Sequence, residues 1–159
     1  MDGAAEKFPV SFTIFGLARR HRALAAEMLR DLGLYPGQEI MLLQLWENDG
    51  QSQNSLGRTL GLDHSTVAKS VRRLEEAGLV VRARSARDRR TTIVTLTQAG
   101  RNLESAVTEV WARLEECTVA GFSAAERQAF VLLARRIEAN LDPDTPAAPA
   151  GGPAPAPLA

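Results

Sequence analysis

Hydroxyl and basic side chains are concentrated between residues 63 and 90 of this sequence. The segment DHSTVAKSVRR begins with short polar side chains and ends with basic ones, while Val67, Val71 and Leu74 recur at helical spacing. The later segment SARDRR places three arginines between two runs of β-branched residues, a pattern typical of a β-hairpin tip. Hydroxyl, ammonium and guanidinium groups bind phosphate oxygens and base edges. These residues therefore predict a helix and a hairpin that contact nucleic acid.

One face of the predicted helix would meet DNA in the major groove. At 100° per residue, Ser65, Lys69 and Arg72 lie opposite the apolar side. The first turn offers free backbone N–H groups and the positive end of the helix dipole, which favour an anion. A polar helix face by itself is equally well explained by solvation, and the adjacent wing is what favours DNA. The residues predicted to contact DNA are Ser52, His64, Ser65, Thr66, Lys69, Arg72, Arg73, Arg87, Asp88, Arg89 and Arg90.

The hairpin tip holds Arg87, Asp88, Arg89 and Arg90 in consecutive positions. Adjacent charges in a loop are commonly only solvated. Beside a reading helix, however, three guanidinium groups suit the narrow and electronegative minor groove. Asp88 would repel phosphate unless it positions another group. We predict that it holds a neighbouring arginine through a charge-assisted bidentate pair.

The formal net charge of the chain is zero, which taken alone argues against a nucleic-acid partner. The charges are unevenly distributed, however. Between residues 52 and 101, ten basic residues accompany four acidic ones, so the surplus of six positive charges is balanced by the remainder of the chain. A basic centre with acidic flanks is expected of a protein that meets phosphates with one face only.

Helices flank this central region on both sides. Ser52, Asp63, Thr97 and Ser123 are predicted helix N-caps, and Ser123 forms a capping box with Glu126. The predicted helices span residues 9–31, 38–47, 52–61, 63–77, 97–117 and 123–141, and the predicted strands span 79–84 and 91–96. The predicted fold class is mainly α with a small β-hairpin wing. The order of elements is that of a winged helix-turn-helix with N- and C-terminal dimerisation helices.

Apolar residues at both ends of the sequence exceed what one small domain needs to cover. The first helix carries two apolar stripes, and the fifth alternates apolar steps of four and three, the spacing of a two-helix seam. The apolar side of the second helix is predicted from Ile40, Leu42, Leu43 and Trp46. We expect one domain over residues 1–144, with dimerisation helices at 8–33 and 97–141, a DNA-binding part at 35–96, and a disordered Pro/Ala-rich tail at 145–159.

Small-molecule, metal and redox sites receive weak support from the sequence. His21 lies on an apolar stripe and is explained by packing, or else by an effector site with Arg22 supplying charge. Cys117 is the single cysteine and lies on the apolar seam beside two glutamates, which disfavours a reactive thiol. We expect no cofactor and no metal site, because no ligand spacing suits one. The expected localisation is cytoplasmic, since no segment resembles a signal peptide or a membrane span.

Several of these segments resemble the MarR family of bacterial transcription regulators. The resemblance rests on LGRTLGL, STVAKSVRRLEEAGLV and the wing DRR followed by LTQAGR, and it covers residues 8–141 in order. It implies a homodimer in which the first, fifth and sixth helices interleave and two winged heads bind an inverted-repeat operator. It assigns Asp88 and Arg90 to the family's wing pair, with Arg90 in the minor groove. It also implies that Ser65, Thr66, Lys69 and Arg73 of the reading helix contact DNA.

Three classes of function were compared. The first is a sequence-specific DNA-binding regulator, expected to be a repressor and a homodimer, with double-stranded DNA as partner and a small-molecule effector left open. The second is a winged-helix module that binds protein rather than DNA, against which the basic surplus argues. The third is an enzyme, for which the sequence has no nucleophile–base pair, glycine-rich phosphate loop or metal-ligand spacing.

Overall fold

The computed structural model describes residues 2–142, so the predicted tail at 145–159 lies outside the described residues. The chain divides into two compact units, Met1–Thr118 and Val119–Ala159. In the first unit the helices are α1 (Asp2–Lys7), α2 (Pro9–Leu29), α3 (Gln38–Glu47), α4 (Gln53–Leu60), α5 (His64–Glu76), α6 (Gln98–Asn102) and α7 (Glu104–Thr118), and a 3₁₀ turn spans Arg30–Leu32. Its strands are β1 (Gln51–Ser52), β2 (Val80–Arg84) and β3 (Thr92–Leu96). The second unit contributes α8 (Ala124–Leu141).

The predicted fold class is confirmed: the first unit is a winged helix-turn-helix with helices on both sides of it in the sequence. Ser52 caps α4 by accepting a hydrogen bond from the Ser55 amide, and Asp63 caps α5 in the same way through the Thr66 amide. Gly61 and Gly78, which follow these two helices, adopt left-handed backbone conformations that glycine tolerates best. Both helix ends are therefore determined by local sequence.

A three-stranded antiparallel sheet in the order β1-β3-β2 forms the wing. The hairpin of β2 and β3 agrees with the prediction, and Arg82 is paired with Val94 in its register. The sequence did not predict β1, because two residues are too short to show alternation. Its residues Gln51 and Ser52 pair with Val94 and Ile93, which joins the start of α4 to the wing.

The core lies under the reading helix and the sheet. It includes Leu29 of α2, residues of α3 to α5, Val94 of β3 and Val107 of α7. On α3, the fully buried side chains are Met41, Leu42 and Leu45. The predicted apolar side of this helix was therefore partly wrong, since Ile40, Leu43 and Trp46 are only half-buried. Because α3 has apolar residues on more than one side, its orientation is decided by the elements that pack against it.

The predicted helix over residues 97–117 is interrupted. Thr97 caps α6 as expected, but a turn at Leu103 separates α6 from α7. The Gly100 carbonyl accepts a hydrogen bond from Trp46 Nε1 at 3.1 Å. This is the carbonyl that the Glu104 amide would use in a continuous helix, so the indole competes for it.

In the second unit, Ser123 and Glu126 form the predicted capping box at the start of α8. Its large apolar side chains are exposed, including Phe130, Leu133 and Leu141. Within residues 2–142, no helix is both long enough and apolar enough to cross a membrane.

Candidate nucleic-acid interface

The reading helix α5 presents its polar face to solvent. Val67, Val71 and Leu74 are fully buried against the core, as the spacing predicted. The side chains of His64, Ser65, Thr66, Lys69, Arg72 and Arg73 are all exposed. Packing of the apolar side therefore fixes which side chains a groove of DNA could meet.

Three side chains at the start of α5 are joined by hydrogen bonds. Asp63 Oδ1 accepts from the Thr66 amide at 2.9 Å and from the Ser65 hydroxyl at 2.6 Å. Asp63 Oδ2 accepts from the Thr66 hydroxyl at 2.6 Å. The Ser65 and Thr66 hydroxyls hold the pKa of Asp63 well below its usual range, so this carboxylate is charged at neutral pH. The sequence predicted the backbone cap but not the two hydroxyl bonds.

Two of the basic side chains on α5 have partners within the chain. Arg72 Nε lies 2.8 Å from Glu76 Oε1, one turn along the helix. The Arg73 guanidinium stacks 5.6 Å from the centre of the Tyr35 ring, a cation–π contact with the segment before α3. Lys69 lies between these two and has no charged partner among residues 2–142. Arg73 and Lys69 are thus the cations on this face that no carboxylate neutralises.

The wing tip is shaped by Asp88, though not in the predicted way. Asp88 Oδ1 accepts from the Arg90 amide at 2.9 Å, and Asp88 Oδ2 accepts from the Thr91 hydroxyl at 2.8 Å. These bonds lower the pKa of Asp88. The predicted bidentate pair between Asp88 and an arginine side chain is therefore wrong, because the carboxylate is occupied by the turn itself. The guanidinium groups of Arg87 and Arg89 are exposed and have no carboxylate partner in the described part of the chain.

The arginines on the wing strands, unlike those at the tip, have partners within the chain for their guanidinium groups. Arg82 on β2 makes an ion pair with Glu75 on α5, with Nε and Nη2 both directed at Oε2. Arg84 Nη1 lies 3.5 Å from the Arg90 carbonyl and 3.5 Å from the Thr92 hydroxyl. The first pair spans the wing and the reading helix but, as an exposed ion pair, adds little stability, and the second set of contacts lies beside the tip. The basic surplus found in the sequence is therefore concentrated on the tip arginines and on the free cations of α4 and α5.

An open groove of about 470 Å³ lies between α4 and the start of α5. Its lining includes Gln53, Asn54, Arg58 and His64. Gly57 also lines the groove, and a Cβ there would approach the Leu62 carbonyl oxygen to 3.1 Å. Gln53, Asn54 and Arg58 were not predicted as site residues. The polar side of α4, opposite Leu56 and Leu60, was the signal that could have identified them.

Comparison with known proteins identifies the family of this chain. A sequence model of the MarR family matches residues 32–91. Over 126 residues the chain is 32% identical to a proposed transcriptional regulatory protein for the hcr operon of Thauera aromatica, which covers 79% of this chain and 75% of that protein. The chain belongs to the MarR family of transcriptional regulators.

Solved structures of MarR-type regulators share the fold. Reduced AbfR bound to DNA matches with a TM-score of 0.72 at 28% identity, covering 87% of this chain and 96% of that one. Bordetella bronchiseptica BpsR, from a study of the regulation of its DNA binding by 6-hydroxynicotinic acid, matches with a TM-score of 0.75 at 27% identity. That match covers 82% of this chain and 98% of the BpsR chain.

In this MarR-family regulator, Asp49 and Arg101 clamp the end of β3. Asp49 Oδ1 accepts from the Leu96 amide at 2.9 Å, and its Oδ2 lies 2.7 Å from Arg101 Nη1. Arg101 Nη2 in turn donates to the Leu96 carbonyl at 3.1 Å. Both backbone groups of one residue are thus satisfied by an ion pair. The clamp joins the turn after α3 to the junction between the wing and α6.

The clamp predicts an acid-sensitive contribution to stability. Burial would raise the pKa of Asp49, but hydrogen bonds from Leu96, Arg101 and Gly50 outweigh it and lower the pKa. Ionised Asp49 therefore stabilises the fold above its unfolded-state pKa, and this contribution is lost as pH falls through the folded-state value. We expect Asp49→Asn to lower the free energy of unfolding at pH 7 by about 0.5 to 1 kcal/mol, because solvent screens the pair.

Urea unfolding of both proteins across the acid range measures this effect. The difference between wild type and Asp49→Asn should shrink as pH falls from about 4, the ordinary pKa of an unfolded aspartate, through the lower pKa of Asp49 in the folded protein. A difference that stays constant down to pH 2 would contradict the assignment. Arg72→Gln is the matched control, because it removes an exposed ion pair that touches no backbone group.

The predicted effector residues lie apart from the reading face in sequence, on α2. His21 is half-buried and Arg22 is exposed. Arg22 acts electrostatically on Glu39, whose pKa is raised by burial despite a hydrogen bond from the Gly37 amide at 2.7 Å. The assignment of His21 and Arg22 to an effector site stays a prediction. Cys117 is exposed on α7 and does not pack into the core of its own chain.

No group of three or more metal-binding side chains occurs among the described residues 2–142. The two tryptophans, Trp46 and Trp111, are half-buried and pack against the core. The family to which the chain belongs comprises transcriptional regulators rather than enzymes.

Proposed function

We propose that this MarR-family regulator is a repressor that binds an inverted-repeat operator as a homodimer. In this proposal α5 enters the major groove and Arg90 enters the adjacent minor groove. The observation that carries the proposal is the exposed polar face of α5 beside a wing tip whose three guanidinium groups have no carboxylate partner within residues 2–142. A helix and a hairpin with free cations match the two grooves of one half-site. Bound at a promoter, such a dimer blocks access to the same DNA.

Groove contacts are proposed for a subset of the exposed residues. Lys69 and Arg73 are the cations on α5 without a carboxylate partner among residues 2–142, and His64 lines the pocket between α4 and the start of α5. Arg58 has no carboxylate partner in the described part of the chain and suits a backbone phosphate, since the first helix of a helix-turn-helix crosses the DNA backbone. Arg72 is paired with Glu76 and is expected to contribute less to binding. Ser52 acts in this scheme through the helix it caps.

Homodimer formation is proposed from the exposed apolar side chains of the N-terminal region. Phe8, Phe12, Ile14, Phe15 and Leu17 are all exposed, and Phe15 is 67% exposed. Isolated apolar residues on a surface need no explanation, but a continuous series along one helix is typical of a protein–protein interface. AbfR, a relative with 28% identity, has been solved bound to DNA. A second copy of the chain is the partner that the proposal requires.

Selection of bound genomic fragments, followed by mass measurement of the complexes, tests the proposal. We expect enrichment of one inverted repeat, bound by two protein chains per duplex, with affinity falling steeply as salt releases counterions. A half-site should bind far more weakly than the full repeat. The proposal fails if no sequence is enriched, or if one chain alone binds the selected site. Transcription from a promoter that carries the site should rise when the protein is absent.

Control by a small molecule is also proposed. BpsR, with 27% identity, comes from a study in which 6-hydroxynicotinic acid regulates its DNA binding. The carboxylate of an aromatic acid needs a cation, and we propose Arg22 of α2 for that role, with His21 on the neighbouring face of the same helix. The identity of the effector is left to a screen against the bound operator.

A further inference from the structure

Each hydroxyl at the start of the reading helix has its single proton committed to one carboxylate. The Ser65 hydroxyl donates to Asp63 Oδ1 and the Thr66 hydroxyl donates to Asp63 Oδ2, both at 2.6 Å. Distances this short are typical of strong bonds from a hydroxyl to a charged carboxylate. Asp63 is ionised at neutral pH, because the same two hydroxyls lower its pKa. Asp63 therefore remains an acceptor for both hydroxyls at neutral pH.

A hydroxyl group has one proton and two acceptor lone pairs. With the proton of Ser65 and that of Thr66 directed at Asp63, only lone pairs are left for any other partner. Phosphate oxygens have no proton and only accept hydrogen bonds, so these hydroxyls cannot bind them without leaving Asp63. This differs from the role expected from the sequence, in which hydroxyls in the first turn approach bases and phosphates alike.

The bases differ in what they offer such an acceptor. In the major groove, adenine presents the N6 amino group and cytosine presents the N4 amino group, both hydrogen-bond donors. Guanine offers the acceptors O6 and N7, and thymine offers the acceptor O4 and a methyl group. A hydroxyl that can only accept is matched by adenine or cytosine, and mismatched with guanine O6 or thymine O4, on the strand that it contacts. Because every base pair has one exocyclic amino group in the major groove, the selection concerns which strand presents it.

We propose that Asp63 fixes Ser65 and Thr66 as hydrogen-bond acceptors, and that the first turn of α5 thereby selects operator bases with an exocyclic amino group, adenine or cytosine. Asp63 is thus a positioning residue, and the two hydroxyls are specificity-determining residues. The inference rests on the proposed function, because it requires α5 to lie in the major groove.

Asp63→Asn is the variant that separates polarity from folding. Asparagine caps helices as well as aspartate does, so α5 keeps its start and its Thr66 amide bond. The amide, however, has one acceptor oxygen and one donor nitrogen where the carboxylate had two acceptors. At least one hydroxyl proton is then released and can reach guanine O6 or thymine O4. Ser65→Ala and Thr66→Val are companion variants that remove one hydroxyl each.

Site selection from random duplexes, with wild type and the three variants, is the first experiment. On the strand that the first turn contacts, which single analogue substitutions in each strand identify, wild type should enrich adenine or cytosine, and Asp63→Asn should accept guanine or thymine at one position. The second experiment replaces the selected base by its analogue without the amino group, deoxynebularine for adenine or deoxyzebularine for cytosine. The wild-type protein should lose about 2- to 10-fold in affinity, the effect of one hydrogen bond. The matching Ser65→Ala or Thr66→Val variant should lose nothing further.

Each possible outcome either supports the inference or overturns it. If no adenine or cytosine of either strand of the selected site loses affinity when its amino group is removed, the inference is overturned and the proposed function stays intact. Equal losses with the analogue for wild type and for both hydroxyl variants also overturn it, because the amino group is then read by another residue. Unchanged base preference in Asp63→Asn overturns the role of Asp63. Failure of wild type to enrich any sequence overturns the proposed function and this inference with it. Thermal melting of each variant verifies that the fold is kept.

Discussion

Arg90→Ala is expected to lower operator affinity by about 10- to 100-fold, the range for a hydrogen-bonded charged group. The Arg90 guanidinium has no carboxylate partner in the described part of the chain, so it is free to enter the minor groove. The slope of log affinity against log salt should fall by about one contact. Fluorescence anisotropy with the selected operator, at several salt concentrations, measures both quantities.

The wing should keep its shape in this variant. The turn is held by the Arg90 amide and the Thr91 hydroxyl, which donate to Asp88, and not by the Arg90 side chain. Arg82→Ala is the matched control, because it removes an arginine from the same wing whose charge Glu75 already neutralises. Its affinity should stay within about 2-fold of wild type, as expected of an exposed pair. Retained affinity in Arg90→Ala at moderate salt would refute the minor-groove assignment.

Gly100→Ala is expected to lower the free energy of unfolding by about 3 kcal/mol, at the upper end of what overpacking costs. A Cβ at this position would lie 2.1 Å from the Leu79 carbonyl oxygen and 3.2 Å from Leu96 Cδ2. The first of these is backbone and cannot rotate away. Leu79 is itself held in place, because its carbonyl accepts from the Thr97 amide at 3.0 Å. Urea unfolding followed by circular dichroism measures the loss.

Gly57→Ala provides a graded comparison for that clash. Its Cβ would lie 3.1 Å from the Leu62 carbonyl oxygen, so a shift of a few tenths of an ångström suffices. The cost of this shift is offset by the roughly 1 kcal/mol that alanine gains over glycine inside a helix. We expect Gly57→Ala to lie much closer to wild type than Gly100→Ala does. Equal stabilities of the two variants would contradict the close approach at Gly100.

The segment around Gly100 also joins the winged helix-turn-helix to the helices that flank it. Its carbonyl binds Trp46 of α3, and the Thr97 hydroxyl that caps α6 donates to the Gly78 carbonyl at the end of α5. A shift at this position therefore displaces the end of the reading helix as well as the start of α6. We expect operator affinity to fall together with stability in Gly100→Ala.

Local sequence signals correctly predicted where four of the helices begin. Ser52, Asp63, Thr97 and Ser123 were each predicted as caps, and each accepts the amide hydrogen bond expected of a cap. A cap depends on residues three positions apart, so its interactions are visible in the sequence. The buried side of α5 was also predicted, because its polar and apolar faces are sharply separated.

Long-range contacts could not be predicted in the same way. β1 pairs with β3 about forty residues later, Arg73 stacks on Tyr35, and the Trp46 indole binds the Gly100 carbonyl. None of these has a spacing that repeats or a motif that signals it. Asp88 shows the same limit at short range, since a carboxylate among three arginines can pair with a side chain or with the turn backbone. Only the conformation of the turn decided between them.

The sequence by itself determined the fold class of this protein and the region proposed to meet DNA. Caps, helical spacing, β-branched runs and the uneven charge are local or additive properties, and they do not depend on how distant segments meet. The tertiary structure decided which cations remain available, because ion pairs with Glu75 and Glu76 neutralise Arg82 and Arg72. It also decided the hydrogen-bonding polarity at the start of α5. A hydroxyl is donor and acceptor in any sequence, and its role is set only when a carboxylate is held 2.6 Å away.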